Sequence, residues 1–259
     1  MSFKNKTVLI TGASSGIGAA TAIAFAKEGA NLSIIGRNQE KLAITASQCS
    51  EHGQVPLVIV ADVTKDEDLI RAVDTTVEQF GGIDVLVNNA GLMRFASILD
   101  ENIMEAYDQT FDTNLRAVFR LTNLAAPHLI KTGGNIVNIS SIAALKMPDH
   151  PSHITYYVSK AAVDHFTRCI AAELASKGVR VNSVNPGPVR TDFADNIGLS
   201  REEAVGFWER SGKLTALGRI CEPEEIADMT VFLASDKARG ITGASFVVDN
   251  GKLVKIKTP

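Results

Sequence analysis

Seven short apolar runs, at 7–11, 31–35, 56–61, 83–88, 135–140, 179–185 and 245–249, alternate with longer stretches rich in helix formers. This alternation constrains the fold more than any other feature. The stretches 17–28, 38–51 and 66–80 carry apolar residues at three- and four-residue intervals, the period of a helix with one buried face. Segments 101–131 and 155–177 continue the series as longer helices. Several runs, such as PLVIVA and DVLVNN, are apolar without alternation, as expected of parallel strands covered on both faces. Repeated β-α-β units imply right-handed crossovers and a doubly wound α/β fold: a parallel sheet of about seven strands with helices on both faces. No repeat, linker or low-complexity tract divides the 259 residues, so one domain spanning 1–259 is expected. Ligands of such sheets bind beyond the carboxyl ends of the strands, where the strand order reverses.

Composition removes several function classes. The chain is 45% hydrophobic and 21% charged, too apolar for disorder and too interrupted by charge for a membrane protein. Twenty-six basic against 29 acidic residues give a net charge of −3, so no overall basic surface invites nucleic acid. The longest uncharged apolar stretch, VPLVIVA at 55–61, is far below the roughly 18 residues of a membrane span. The apolar run of MSFKNKTVLITG is too short for a signal peptide, and the final KTP is no retention signal. Cys49, Cys169 and Cys221 are odd in number and far apart, which disfavours a disulfide framework or thiolate zinc site and suits the cytoplasm. His150 and His153 are close, but two ligands without a third do not make a metal site, and no metal is expected.

The first strand runs directly into Thr11-Gly12-Ala13-Ser14-Ser15-Gly16-Ile17-Gly18 and then an alanine-rich helix. Glycine tolerates the dihedrals of a tight turn and lets a phosphate approach the backbone. The following helix N-terminus supplies free amides and a positive dipole end for a pyrophosphate. The turn lacks the Lys-Ser/Thr of a nucleoside-triphosphate loop, which disfavours ATP or GTP hydrolysis. The competing interpretation is a plain strand-to-helix turn in which glycine only eases packing. An acid about 20 residues past the glycines would hold the adenosine ribose and favour NAD(H). Here the second strand ends Ile35-Gly36-Arg37-Asn38, and a guanidinium suits a ribose 2′-phosphate. Arg37 therefore points to NADP(H), with NAD(H) the alternative.

Tyr156 and Lys160 lie four residues apart in YYVSKAAVDHFTRCIAAELA, so on a helix they share a face. A cation beside a phenol stabilises phenolate and lowers a pKa that is ordinarily near 10, making the group a usable general acid or base. Tyr157, three residues from Lys160, competes for the same face.

These pieces fall in an order that resembles the short-chain dehydrogenase/reductase family over nearly the whole chain. They are TGASSGIG at 11–18, Asp62-Val63, NNAG at 88–91, Asn114, NISS at 138–141, Tyr156-x-x-x-Lys160 and PGPVRT at 186–191. The resemblance implies a Rossmann-like domain and selects Tyr156 over Tyr157, leaving the latter as packing. It also implies an active site of Asn114, Ser141, Tyr156 and Lys160. In that site Tyr156 exchanges a proton with the substrate oxygen, and Ser141, rather than Ser140, hydrogen-bonds it. Lys160 lowers the phenol's pKa and holds the nicotinamide ribose, and Asn114 anchors a water. Without the family context Asn114 reads as structural. The cofactor-binding residues implied are Gly12, Ser14, Ser15, Gly16, Ile17, Gly18, Arg37, Asn38, Asp62, Val63, Asn89, Ala90, Gly91, Tyr156, Lys160, Pro186, Gly187, Val189 and Thr191. Asp62 and Val63 would meet adenine, Asn89 to Gly91 the adenosine ribose, and Pro186 to Thr191 the carboxamide and pyrophosphate.

The expected activity is interconversion of a carbonyl and an alcohol by hydride transfer, an NADP(H)-dependent carbonyl reductase. The alternatives are an NAD-dependent alcohol dehydrogenase and a nucleotide-sensing protein without turnover. Leu92, Met93, Arg94, Phe95, Leu145, Met147, Pro188, Phe193, Phe207 and Trp208 are expected around the substrate, mostly apolar, with 192–215 as a lid. Ser141 and Tyr156 are separated by a longer gap than the family commonly shows, carrying KMPDHPSH, and the chain continues past Gly251 as the basic KLVKIKTP. The partners expected are a small-molecule substrate and copies of the same chain, as a homotetramer or else a dimer.

Overall fold

A computed structural model describes residues 2–193 and 200–256. Seven strands form one sheet: β1 (Thr7–Thr11), β2 (Asn31–Gly36), β3 (Leu57–Val60), β4 (Val85–Asn88), β5 (Asn135–Ile139), β6 (Arg180–Pro186) and β7 (Ser245–Val248). Their order is β3-β2-β1-β4-β5-β6-β7, and every neighbouring pair is parallel. The helices between them are α1 (Gly16–Lys27), α2 (Gln39–Ser50), α3 (Asp66–Phe80), α4 (Ile103–Phe111), α5 (Ala117–Thr132), α6 (Ile154–Leu174), α7 (Arg201–Lys213) and α8 (Pro223–Ala234).

Side chains alternate across a strand, so a parallel strand covered on both faces feeds two cores. In β1, Val8 and Ile10 join a cluster with Phe25 of α1, Leu42 of α2 and Ile226 and Leu233 of α8. Leu9, between them, joins Leu69 and Val73 of α3 and Leu121 and Leu129 of α5 on the opposite face. Each fully buried side chain of this size contributes roughly 1.5–3 kcal/mol, so a register slip in β1 would lose both cores together.

Two segments differ from the sequence expectation. The helix expected over 101–131 is divided by a π turn at Asp112–Arg116, which carries the buried Asn114. A π turn accommodates an extra residue, and such turns recur at functional sites. Part of the 192–215 segment is α7, which begins with a capping box: the Ser200 hydroxyl accepts from Glu203 N–H at 3.3 Å, and Glu203 accepts from Ser200 N–H at 2.8 Å. Residues 194–199 of that segment lie outside the described residues.

The order reverses between β1 and β4, opening a crevice at their carboxyl ends. Gly12, Arg37, Asp62, Asn89, Ser141 and Gly187 all follow strands directly or within two residues, and so gather along one edge of the sheet.

Candidate functional site

The glycine turn is held by the strand beside it. Asn89, just past β4, donates its side-chain amide to the carbonyls of Thr11 and Gly12 at 2.9 and 3.1 Å. The backbone N–H groups of Asn89 and Ala90 donate to the Thr11 hydroxyl at 3.0 and 3.1 Å. Gly12 and Gly16 adopt φ of +65° and +54°, where a side chain is strained. A Cβ on Gly12 would stand 2.9 Å from the Ala90 Cα, and one on Gly16 would stand 2.9 Å from Thr191. Gly18 fills no cleft; it lets α1 close on the turn, since a Cβ there would meet the Gly12 carbonyl at 2.2 Å. Asn89 thus holds the glycines rather than offering a free amide.

A cleft of about 530 Å³ opens above this turn. Gly12, Ser14, Ser15, Gly16 and Ile17 form its floor, Arg37 and Asn38 with Lys41 one lip, and Asp62 and Val63 another wall. Asn89, Ala90, Gly91 and Thr191 complete it. Asn38 caps α2 by accepting from Lys41 N–H at 2.9 Å. One Asp62 oxygen accepts from the Thr64 N–H and hydroxyl at 3.0 and 2.9 Å, and Asp192 is ion-paired with Lys41. The cleft meets the free N–H groups of the first turn of α1. A positive helix end beside glycines whose Cβ atoms would strike Ala90 and Thr191 fits a dinucleotide's phosphates.

The second cleft, about 430 Å³, shares Ile17, Asn89, Gly91, Leu92, Thr191 and Phe193 with the first, so the two are continuous. Ser141, Tyr156 and Lys160 line it, as do Pro186, Gly187 and Val189. Helix α6 brings Tyr156 and Lys160 to one face, with the Lys160 Nζ 5.8 Å from the phenol ring centre. That ammonium donates to the Ile139 carbonyl at 2.9 Å. Ser141 accepts from Ala143 N–H at 3.1 Å and hydrogen-bonds the Tyr156 phenol. Ser140 instead donates to the Lys160 carbonyl at 3.2 Å.

Burial pushes Lys160 down to about 8, with Asp164 opposing. It pushes the Tyr156 phenol up, against the Ser141 hydrogen bond. The expected net lowering of the phenol's pKa is corrected here: desolvation dominates the shift, and the ammonium donates its hydrogen bond to the Ile139 carbonyl. Asn114 lies in neither cleft wall. Its carbonyl oxygen accepts from Leu92 N–H at 2.8 Å, and its amide donates to the Leu92 carbonyl and the Ser159 hydroxyl at 2.9 and 3.0 Å. A Cβ on Gly91 would stand 3.4 Å from both the Asn114 oxygen and Lys160 Nζ, so these two atoms flank one gap.

Of the residues expected at the substrate, Leu92, Met93, Phe95, Pro188, Phe193, Phe207 and Trp208 line the second cleft. Arg94 turns away to Gln109 at 2.6 Å, while Leu145 and Met147 are 49% and 83% exposed and line neither cleft. Tyr157, expected to pack, lines the cleft with Lys146, Asp149 and His153 of the long Ser141–Tyr156 gap, and with Lys252, which sequence reasoning had not placed at the substrate. No helix among the described residues is long and apolar enough to cross a membrane.

A family model described as Enoyl-(Acyl carrier protein) reductase matches residues 12–252. The chain is 38% identical over 253 residues to an A-factor type gamma-butyrolactone 1'-reductase (1S-forming) of Streptomyces virginiae, covering 95% of each. It is 36% identical over 256 residues to a 3-oxoacyl-acyl-carrier-protein reductase of Thermotoga maritima, covering 98% of this chain and 100% of the relative. A solved short-chain dehydrogenase/reductase of unknown function from Caenorhabditis elegans, with cofactor, matches at 39% identity and TM-score 0.91, covering 98% of this chain and 97% of that one. A short-chain type dehydrogenase/reductase from Mycobacterium marinum matches at 33% identity and TM-score 0.90, covering 98% of each. The chain belongs to the short-chain dehydrogenase/reductase family, oxidoreductases that interconvert CH–OH and carbonyl groups with NAD(P).

Proposed function

We propose that the protein is an NADP(H)-dependent carbonyl reductase in which Tyr156 is the general acid, running as an alcohol dehydrogenase in reverse. The observation that carries this reading is the convergence of Ser141, Tyr156 and Lys160 in a cleft continuous with the glycine turn. The cofactor, when bound, supplies or accepts the hydride. Tyr156 donates its phenolic proton to the carbonyl oxygen during reduction, and Ser141 hydrogen-bonds that oxygen as negative charge develops. Lys160 steadies the resulting phenolate and holds a ribose hydroxyl. Asn114 fixes Leu92, and with it the wall between the clefts.

The phosphate preference is supported at the first cleft's lip. Arg37 and Lys41 stand there, while Asp192 is paired with Lys41 and Asp62 is engaged by Thr64. No carboxylate ends β2, where one would favour the unphosphorylated ribose. Helix α7, bearing Phe207 and Trp208 on the cleft, is the proposed lid. An exposed Val247 on the edge strand β7 supports assembly with further copies of the chain.

The test is a panel of ketones followed by nicotinamide absorbance, with Tyr156→Phe beside the wild type. The variant is expected to lose at least 100-fold in turnover while still binding NADPH. Full turnover by Tyr156→Phe would remove the proposed role.

A further inference from the structure

Most of the second cleft is apolar, but one rim is not. Lys146, Asp149 and His153 come from the long segment between the catalytic serine and tyrosine, Tyr157 from α6, and Lys252 from just beyond β7. Lys146 Nζ donates to both Asp149 oxygens at 2.6 Å. The Tyr157 hydroxyl reaches the same carboxylate at 3.5 Å, and the His153 ring stacks on Tyr157 with centroids 6.1 Å apart. Lys146 is therefore neutralised by a carboxylate that it grips with both oxygens.

Lys252 is not. It is half-buried and has no carboxylate within ion-pair distance among the described residues. Its neighbour Asp249 is occupied by the backbone N–H groups of Gly251 and Leu253, both at 2.8 Å. Burial and the nearby Lys146 charge push the Lys252 pKa down, by more than the charges of Asp149 and Asp249 hold it up. Burial likewise pushes the His153 pKa down, which favours the neutral imidazole. Of the side chains that line this rim, two are ammonium groups and one is a carboxylate, and Asp249, which does not line the cleft, is engaged by backbone N–H groups.

We propose that this rim receives a carboxylate of the substrate, which is a ketone, or the matching alcohol, with an apolar body and one carboxylate remote from the reacting carbon. Lys252 is the residue that binds it, and the Lys146–Asp149 pair holds the rim in place. A carboxylate carries the single negative charge that one ammonium without an ion-pair partner can match, where a phosphate monoester carries nearly two. In a partly desolvated cleft such a charge-assisted contact is stronger than in water. This assignment rests on the carbonyl-reductase reading for the reacting end of the substrate.

Two measurements separate the two ideas. Rates with NADPH are compared for 4-oxo-4-phenylbutanoate and its methyl ester, the same ketone with and without the charge. The wild type is expected to favour the acid by about 10-fold or more in kcat/KM, equivalent to about 1.4 kcal/mol. In Lys252→Met that ratio falls to about one, mainly through KM for the acid, and Lys252→Arg restores it. Binding of non-reducible 4-phenylbutanoate and its methyl ester is read separately from the fluorescence of Trp208, the chain's one tryptophan and a wall of the cleft. Equal handling of acid and ester, or a Lys252→Met ratio matching the wild type, overturns the carboxylate site. Acid binding that depends on Lys252 without turnover of any ketone upholds the site and overturns the reductase reading.

Discussion

The Asp164 carboxylate accepts the side-chain amide of Asn185 at 2.7 Å inside the protein. The same amide donates to the Ser141 carbonyl at 3.0 Å. Asp164 stands one helical turn beyond Lys160, and its charge holds that ammonium's pKa up against burial. One buried carboxylate therefore reaches both the serine and the lysine of the site. Asp164→Asn keeps the shape and removes the charge, so Lys160 should lose its proton at lower pH. The limb of the kcat/KM profile set by Lys160 is expected to move to lower pH, with a stability loss of about 1.5–3 kcal/mol from the weakened charged hydrogen bonds. Matched pH–rate profiles check this, and an unmoved limb contradicts it.

Lys160 should oppose stability while serving activity. Its pKa of about 8 in the folded protein lies below the ordinary 10.5. Between those values the unfolded chain holds the proton and the folded one does not, so this group's contribution to stability rises with pH across that window. At pH 7 the buried charge costs roughly 3 kcal/mol, against about 1–3 kcal/mol from losing the bond to the Ile139 carbonyl. Lys160→Met is therefore expected to be inactive yet to melt about 2–4 °C higher at pH 7. The advantage should disappear by about pH 10, as thermal melts at the two pH values will show.

A methyl group at Gly18 has nowhere to go. It would lie 2.2 Å from the Gly12 carbonyl and 2.5 Å from the Asn89 amide, both fixed parts of the turn. Gly18→Ala should cost about 1–3 kcal/mol of stability and open the turn under the phosphates. Calorimetric titration with NADPH is expected to show at least 10-fold weaker binding, and unchanged affinity would show that the turn does not carry the pyrophosphate.

Arg37 is exposed at the lip of the first cleft. Losing one charge-assisted contact of about 1.5–3 kcal/mol predicts a rise of roughly 10- to 100-fold in the NADPH KM of Arg37→Ala. The NADH KM should change little. Separate titrations of the two cofactors decide it, and tighter NADH than NADPH binding by the wild type would reverse the preference.

The architecture was open to a sequence reader because its signals are local. Apolar period and strand length placed all seven strands to within two residues at each end. The glycine turn and the Tyr156–Lys160 spacing are likewise short-range patterns, and the structure brings them to adjoining clefts. Helix α7 is not assigned by the sequence pattern: the Ser200–Glu203 capping box is written in the chain, but its surroundings lack a clear apolar period. The π turn at Asp112–Arg116 had no such signal, because its extra residue leaves the apolar pattern of 101–131 nearly unchanged.

The order of residues was enough to specify a parallel sheet, a glycine floor and a helix presenting phenol and ammonium together, because each depends on neighbours a few positions apart. Tertiary packing alone decided how the polar groups are used. It turned Asn89 and Asn114 inward to hold backbone, and raised the Tyr156 pKa by desolvation where charge proximity had suggested the reverse. It also set Lys252 beside Lys146 and Asp149, residues about a hundred positions earlier. Hydrogen-bond partnership and burial are properties of groups that meet across the fold, and no pattern within one segment encodes them.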